Sequence, residues 1–257
     1  MIGIQLAGKN GRISANVFIR SLNNFLDLIR DVDSILSHQS KGSVRWELAT
    51  LQKNSPALVE FVGTSRIKTM DYSQAIQDSV IDGIEQLTER PEQPQFYSYS
   101  ALRSVRTMAG QVKYLKSLNV FSESRRTYLT SRVFSNVEYI IGTGTKSLGS
   151  VRGSLDAITV HAGHEFRIWS VKTKRPITCR FDKAMLPEVI THLKQQVEVI
   201  GELQRNQKGE PVLMKVQEFL PLEPVKASPS IEEMSGLIPD LYQGKSLKSY
   251  LEELRNG

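Results

Sequence analysis

The chain has 257 residues, 40% of them hydrophobic and 23% charged, with a formal net charge of +6. That balance excludes a disordered chain, a collagen-like fibre and a disulfide scaffold, and the length leaves room for one or two compact domains with attached segments. A single cysteine, Cys179, forms no internal disulfide and reads as a small buried residue in a reducing compartment.

The N-terminal run from Met1 to Gly8 lacks a basic leader followed by an apolar core and a cleavage site. No stretch approaches the roughly 18 to 20 apolar residues that span a bilayer. The expectation is a cytoplasmic protein that does not enter a membrane. Nearly all of the positive excess falls between residues 91 and 147.

Ile2, Ile4 and Leu6 alternate with Gly3 and Gln5 ahead of the turn-forming Gly8 to Gly11, which predicts a strand and turn. Val17, Leu22, Phe25, Leu26, Ile29, Val32 and Leu36 then recur mostly at steps of three and four, the stripe of an amphipathic helix. Alternation around Trp46 and around Glu60, on either side of Ser55 and Pro56, predicts two strands joined by a turn. Asp71 opens a second helix through Ala75, Ile76, Val80, Ile84 and Leu87, with Gln74 placed for a capping-box start. A third helix is expected over residues 99–116 with Val105, Met108, Val112 and Leu115 inward, and a short one over 133–141. The Gly-, Thr- and Ser-rich residues 142–150 form the clearest boundary.

From Leu148 to Leu222 the patterns run strand, strand, strand, helix, strand, strand. Val151, Leu155, Ile158 and Val160 carry the first strand, with Gly149 and Gly153 where a long strand would bend. Phe166 and Ile168 oppose Arg167 and Trp169 in the second, and Ile177, Cys179 and Phe181 oppose Thr178 and Arg180 in the third. Leu186, Val189, Ile190 and Leu193 have helical spacing, with Pro187 tolerated in the first turn. Val197, Val199, Gly201 and Leu203, then Val212, Met214, Val216 and Phe219, flank a polar turn ending at Lys208 and Gly209. This order resembles the OB-fold family, a five-stranded barrel. The resemblance implies single-strand binding on the second and third strands, with Arg167, Trp169 and Arg180 as the residues to stack bases and meet phosphates.

Arg103, Arg106, Lys113 and Lys116 fall on one arc of the expected third helix, and Arg125, Arg126 and Arg132 follow. Such a patch suits salt-dependent phosphate contact. His38, His161, His164 and His192 are the conventional starting points for metal or acid–base work, and only His161 and His164 lie close in sequence. With one cysteine and no second ligand pair, neither a metal site nor a cofactor is expected. No nucleophile elbow or complete phosphate loop occurs, so no catalytic residue is assigned.

Residues 223–257 carry two short amphipathic pieces, the second through Leu247, Tyr250, Leu251 and Leu254. The run from Gly244, Lys245 and Ser246 through Tyr250 to Arg255 resembles the C-terminal segment of type II antitoxins that wrap PIN-domain ribonuclease toxins. The resemblance implies a helix in a toxin groove, with Arg255 offering its fork of donors to the toxin's catalytic carboxylates.

The sequence therefore predicts an α+β protein in three parts. Residues 1–147 form a mixed α/β and helical region, 148–222 an OB-like β-barrel, and 223–257 an amphipathic, partner-binding tail. The expected function is non-catalytic, an antitoxin-like inhibitor whose Leu247, Tyr250, Leu251, Leu254 and Arg255 dock on a nuclease toxin. One rival is a single-stranded nucleic-acid binder, and another is a metal-dependent hydrolase around His161, His164 and Asp156.

Overall fold

A computed structural model of the chain describes residues 1–222 except 40, 41, 54, 68, 69, 143, 161, 162 and 207, together with residues 249, 252, 253 and 255. Contacts separate one compact unit, residues 1–222, from a second, residues 223–257. The first unit is α+β and holds a layered sheet and a closed ring of strands. The boundary expected at residue 147 lies within that unit, where the first ring strand already begins at Lys146.

The layered part runs β1 (Ile2–Gly8), α1 (Ala15–Leu36), β2 (Val44–Gln52), β3 (Ala57–Ser65), α2 (Ser73–Glu89), α3 (Tyr99–Gln111), β4 (Leu115–Ser122), β5 (Arg126–Tyr128) and α4 (Ser131–Ile141). Its strands lie in the order β2-β3-β1-β4-β5, every neighbour antiparallel. Ile2, Ile4 and Leu6 meet Leu118, Val120, Val59 and the helix residues Phe25, Leu28, Ile29 and Val105 in one core. Fully burying each such side chain contributes about 1.5–3 kcal/mol, which is what holds the helices on the sheet. Gly83 is required by its setting: a Cβ there would lie 2.3 Å from the ring of Tyr97, whose hydroxyl donates to Val80 O at 2.6 Å.

Two local expectations are corrected. The third helix stops at Gln111, and residues 115–122 form β4 beside β1 instead of a final helical turn. Leu115 and Leu118 are three apart, which imitates a helix, while Leu118, Asn119, Val120 and Phe121 are all buried and erase the alternation of a strand. At the start of α2, Gln74 does not reach back to complete a capping box; it turns forward to Asp78, and Asp71 accepts from Ser73 N instead.

The ring comprises β6 (Lys146–Thr159), β7 (Glu165–Ser170), β8 (Pro176–Arg180), β9 (Gln196–Arg205) and β10 (Pro211–Pro221), with α5 (Leu186–Thr191) between β8 and β9 in sequence. Around the ring the order is β6-β7-β8-β10-β9 and back to β6. Only β8 and β10 run parallel. The long β6 closes the ring by changing partner at Gly153, which faces Val197 of β9 and Ser170 of β7. A Cβ there would come within 2.1 Å of Trp169 O, so glycine lets the strand turn from one neighbour to the next. Phe166, Ile168, Cys179, Val199 and Met214 fill the interior, and Val189 of α5 belongs to the same cluster.

Candidate functional site

The densest polar constellation lies where the C-terminal end of α1 meets the ring, and it is built around Asp156. This residue sits in β6 at a point where the pairing with β7 slips between Leu155 and Ala157. Such a bulge re-aims one side chain. The Asp156 carboxylate, 5% exposed, accepts Arg167 Nη2 at 2.8 Å and Nε at 3.2 Å, Lys194 Nζ at 3.0 Å, and pairs with His38 Nδ1 at 3.0 Å. Burial pushes its pKa up, but the Arg167 charge and the hydrogen bonds from Arg167, Lys194 and His38 prevail and hold it below the ordinary aspartate value.

Each cation also reaches past Asp156. Arg167 Nη2 donates to Ser34 O at 3.2 Å and Ser34 Oγ at 3.0 Å on α1, and its Nη1 stands 3.9 Å from Asp31. Lys194 Nζ donates to His38 O at 2.8 Å and to Asp156 O. His38 and Lys194 both have left-handed backbones, φ 54° and 70°, a conformation that non-glycine residues adopt when their surroundings enforce it. Asp31 is itself largely covered; burial raises its pKa, and Arg167 and the Ser98 hydrogen bonds only partly offset that.

An aspartate orienting a histidine is half of a familiar nucleophile-activating arrangement. The other half is missing among the described residues of the 1–222 unit, where no hydroxyl or thiol is hydrogen-bonded to His38. Cys179 is buried in the ring, and desolvation pushes its thiol far up, away from the nucleophilic thiolate. Chemically, the constellation is an ionic joint: one carboxylate clamps Arg167 from β7, Lys194 from the segment after α5 and His38 from the turn that follows α1.

The residues singled out from sequence are scattered by the fold. Arg167 does alternate with Phe166 and Ile168, but its outward side is covered by α1, so it is buried and spent on the joint instead of lying on an open face. Trp169 is half-buried with its ring edge-on to His38 at 6.5 Å, and Arg180 pairs with Glu165 at 2.7 Å. The basic arc is broken up. Arg103 and Arg106 remain on α3, Lys113 lies in a short 3-10 turn over the ring of Tyr114, and Lys116 is in β4. Arg106 pairs with Glu138, and Arg125 with Asp82 and Glu85. His164 packs edge-on against Phe181, while His161 lies outside the described residues. So do Leu247, Tyr250, Leu251 and Leu254; Arg255 is described, helical and exposed. Among the described residues no group of three or more His, Cys, Asp or Glu is arranged to hold a metal ion, and no helix is long and apolar enough to cross a membrane.

Sequence reasoning missed His38 and Lys194 as partners of Asp156. The left-handed backbone that aims them leaves no mark in residue type. Neither the models of known protein families nor the curated proteins include a match to this chain.

Proposed function

We propose that the chain is a non-catalytic inhibitor of the antitoxin type, in which residues 1–222 are a scaffold and the 223–257 tail docks on a nuclease of the PIN class. The observation that carries this reading is that residues 223–257 form a contact unit separate from residues 1–222 and carry an apolar stripe ahead of Arg255. The apolar spacing of Leu247, Tyr250, Leu251 and Leu254 suits a helix that docks in a groove of another chain. Exposed, helical Arg255 suits a cluster of catalytic carboxylates, which a planar guanidinium meets two bonds at a time.

Within the scaffold we read the ring as an OB-like barrel. Supporting this are its strand order, the single parallel contact between its third and fifth strands, and the helix between the third and fourth. Single-strand binding by Arg167, Trp169 and Arg180 draws less support, since Arg167 is already committed to Asp156 and Ser34. A hydrolase around His164 and Asp156 draws less still, because Asp156 is occupied by cations.

The test uses the full chain, a chain ending at Leu222 and the full chain with Arg255→Ala as baits in lysate from the native host. The protein retained by the full chain is separated and assayed for Mg²⁺-dependent cleavage of a labelled single-stranded RNA. The expected result is cleavage that the full chain suppresses, the truncated chain leaves alone and R255A suppresses at least about tenfold less well, the cost of roughly 1.4 kcal/mol or more for one charged contact. Suppression by the truncated chain overturns the reading, as does a retained protein without nuclease activity.

A further inference from the structure

Away from the Asp156 joint, the β7–β8 and β9–β10 turns enclose a cleft of about 440 Å³ whose walls include Arg152, Lys172, Arg205 and Lys208. Lys174 and Arg175 belong to the same β7–β8 turn. Three of these cations have carboxylate partners: Arg152 with Glu198 at 2.7 Å, Arg175 with Glu210 at 3.4 Å, and Lys208 with Glu92 at 3.2 Å. Lys172, Lys174 and Arg205 have none among the described residues, and the Arg205 guanidinium donates to Gly209 O. On the cleft wall Lys172 and Arg205 are thus uncompensated, with Lys174 on the adjoining turn, while the wall's Glu210 carboxylate is engaged by Arg175 and Asn206; the cationic excess raises the local concentration of anions.

The turn itself is rigidly built. Ser170 N donates to Arg175 O, Lys174 N to Ser170 O and Thr173 N to Ser170 Oγ, with Lys174 held at φ 53°. Ser150, Ser170 and Thr173 add hydroxyls to the wall, and Thr173 Oγ1 is buried without a hydrogen-bond partner. Donors in fixed positions around unpaired cations suit a phosphate group, whose oxygens accept and whose charge is negative. No aromatic residue lines the cleft, which fits recognition of a backbone and not of bases.

We propose that this cleft binds the phosphodiester backbone of a nucleic acid, without sequence preference. The site differs from the arginines of β7 and β8 and from the α3 residues that sequence reasoning favours, and it is independent of the tail. Loss of binding here leaves nuclease inhibition unchanged, so the two proposals fail separately.

The experiment is fluorescence anisotropy of the full chain against a labelled oligo(U) RNA of about 20 nucleotides and a DNA duplex of the same length, between about 50 and about 200 mM salt. The two probes show whether a single strand or a duplex supplies the backbone. Lys172→Glu with Arg205→Glu is expected to weaken binding at least about tenfold and, for a single strand, to flatten the salt slope by about 1.4, two contacts at roughly 0.7 each. Lys172→Glu with Lys174→Glu touches only exposed side chains and gives the same direction should the first variant fold poorly. Arg103→Glu with Lys116→Glu changes charge equally elsewhere and is expected to retain most binding. Equal loss from both sets, or no salt-dependent binding of either probe by the unaltered chain, overturns the proposal.

Discussion

The ring carries two charged regions that differ in one respect, and the difference separates architecture from recognition. Around Asp156 a buried carboxylate is matched to the buried Arg167, with the more exposed Lys194 and His38 at its rim and Asp31 close behind. At the β7–β8 and β9–β10 turns the cations outnumber their partners and face an open cleft. A buried charge is tolerable only when paired, so the first region must stay assembled for α1 to remain on the ring. An exposed cation incurs little desolvation cost and can wait for a ligand. Altering the first region is therefore expected to change stability, and altering the second to change binding.

The largest expected effect is that of Asp156→Ala, which strands Arg167 beneath α1 without its carboxylate. Breaking a buried pair from one side costs about 3–5 kcal/mol, a sizeable share of the stability of a typical domain. Urea unfolding followed by far-UV circular dichroism measures it. A loss under about 1 kcal/mol removes the distinction between the joint and an ordinary surface ion pair.

Acid sharpens the same contrast. Because the Asp156 pKa is lowered by folding, its contribution is present above the ordinary aspartate range and is lost as pH falls through the still lower folded value. Asp31 acts in the opposite sense. Its raised pKa means that the folded chain binds that proton more readily, so its penalty at neutral pH is relieved as pH falls through the folded value. Asp156→Asn is expected to be markedly less stable than the unaltered chain at neutral pH, with the gap closing at strongly acidic pH. Asp31→Asn is expected to cost less at neutral pH, and its difference is expected to move the other way on acidification. Thermal unfolding across a pH series checks both signs.

Period alone makes β1, α1, β2, β3, α2 and α4 legible, because the apolar residues of each recur at the spacing of its own secondary structure. The ring strands are legible for the same reason, with Phe166 and Ile168 inward and glycines where β6 changes partner. β4 is not, since Asn119 is buried along with Leu118, Val120 and Phe121 and the strand has no polar face to reveal it. The joint fails for a different reason. Alternation sets the parity of Arg167 correctly, yet nothing local says that α1 covers its side of β7. His38 lies 118 residues from Asp156 in sequence, and only the tertiary fold brings them together.

A neutral contact supplies a middle case. Tyr97 is fully buried between α2 and the helices beside it, and its hydroxyl donates to Val80 O. Tyr97→Phe removes a donor and keeps the ring against Gly83, so the expected loss is about 0.5–1.5 kcal/mol, the net worth of one hydrogen bond. A value equal to that of Asp156→Ala would mean that burial alone, and not charge, sets the cost at the joint.

The smallest expected effect belongs to Arg180→Ala. Arg180 makes a good hydrogen-bonded pair with Glu165 at 2.7 Å, a shorter contact than any of those to Asp156. Its side chain is 45% exposed, however, and water already solvates both partners when they part. Distance therefore predicts the wrong order, and burial the right one: the expected change is under about 1 kcal/mol and shrinks as salt is added. If Arg180→Ala instead costs as much as Asp156→Ala in the same urea series, the pairing geometry outweighs desolvation in this ring, and the separation between the two charged regions loses its physical basis.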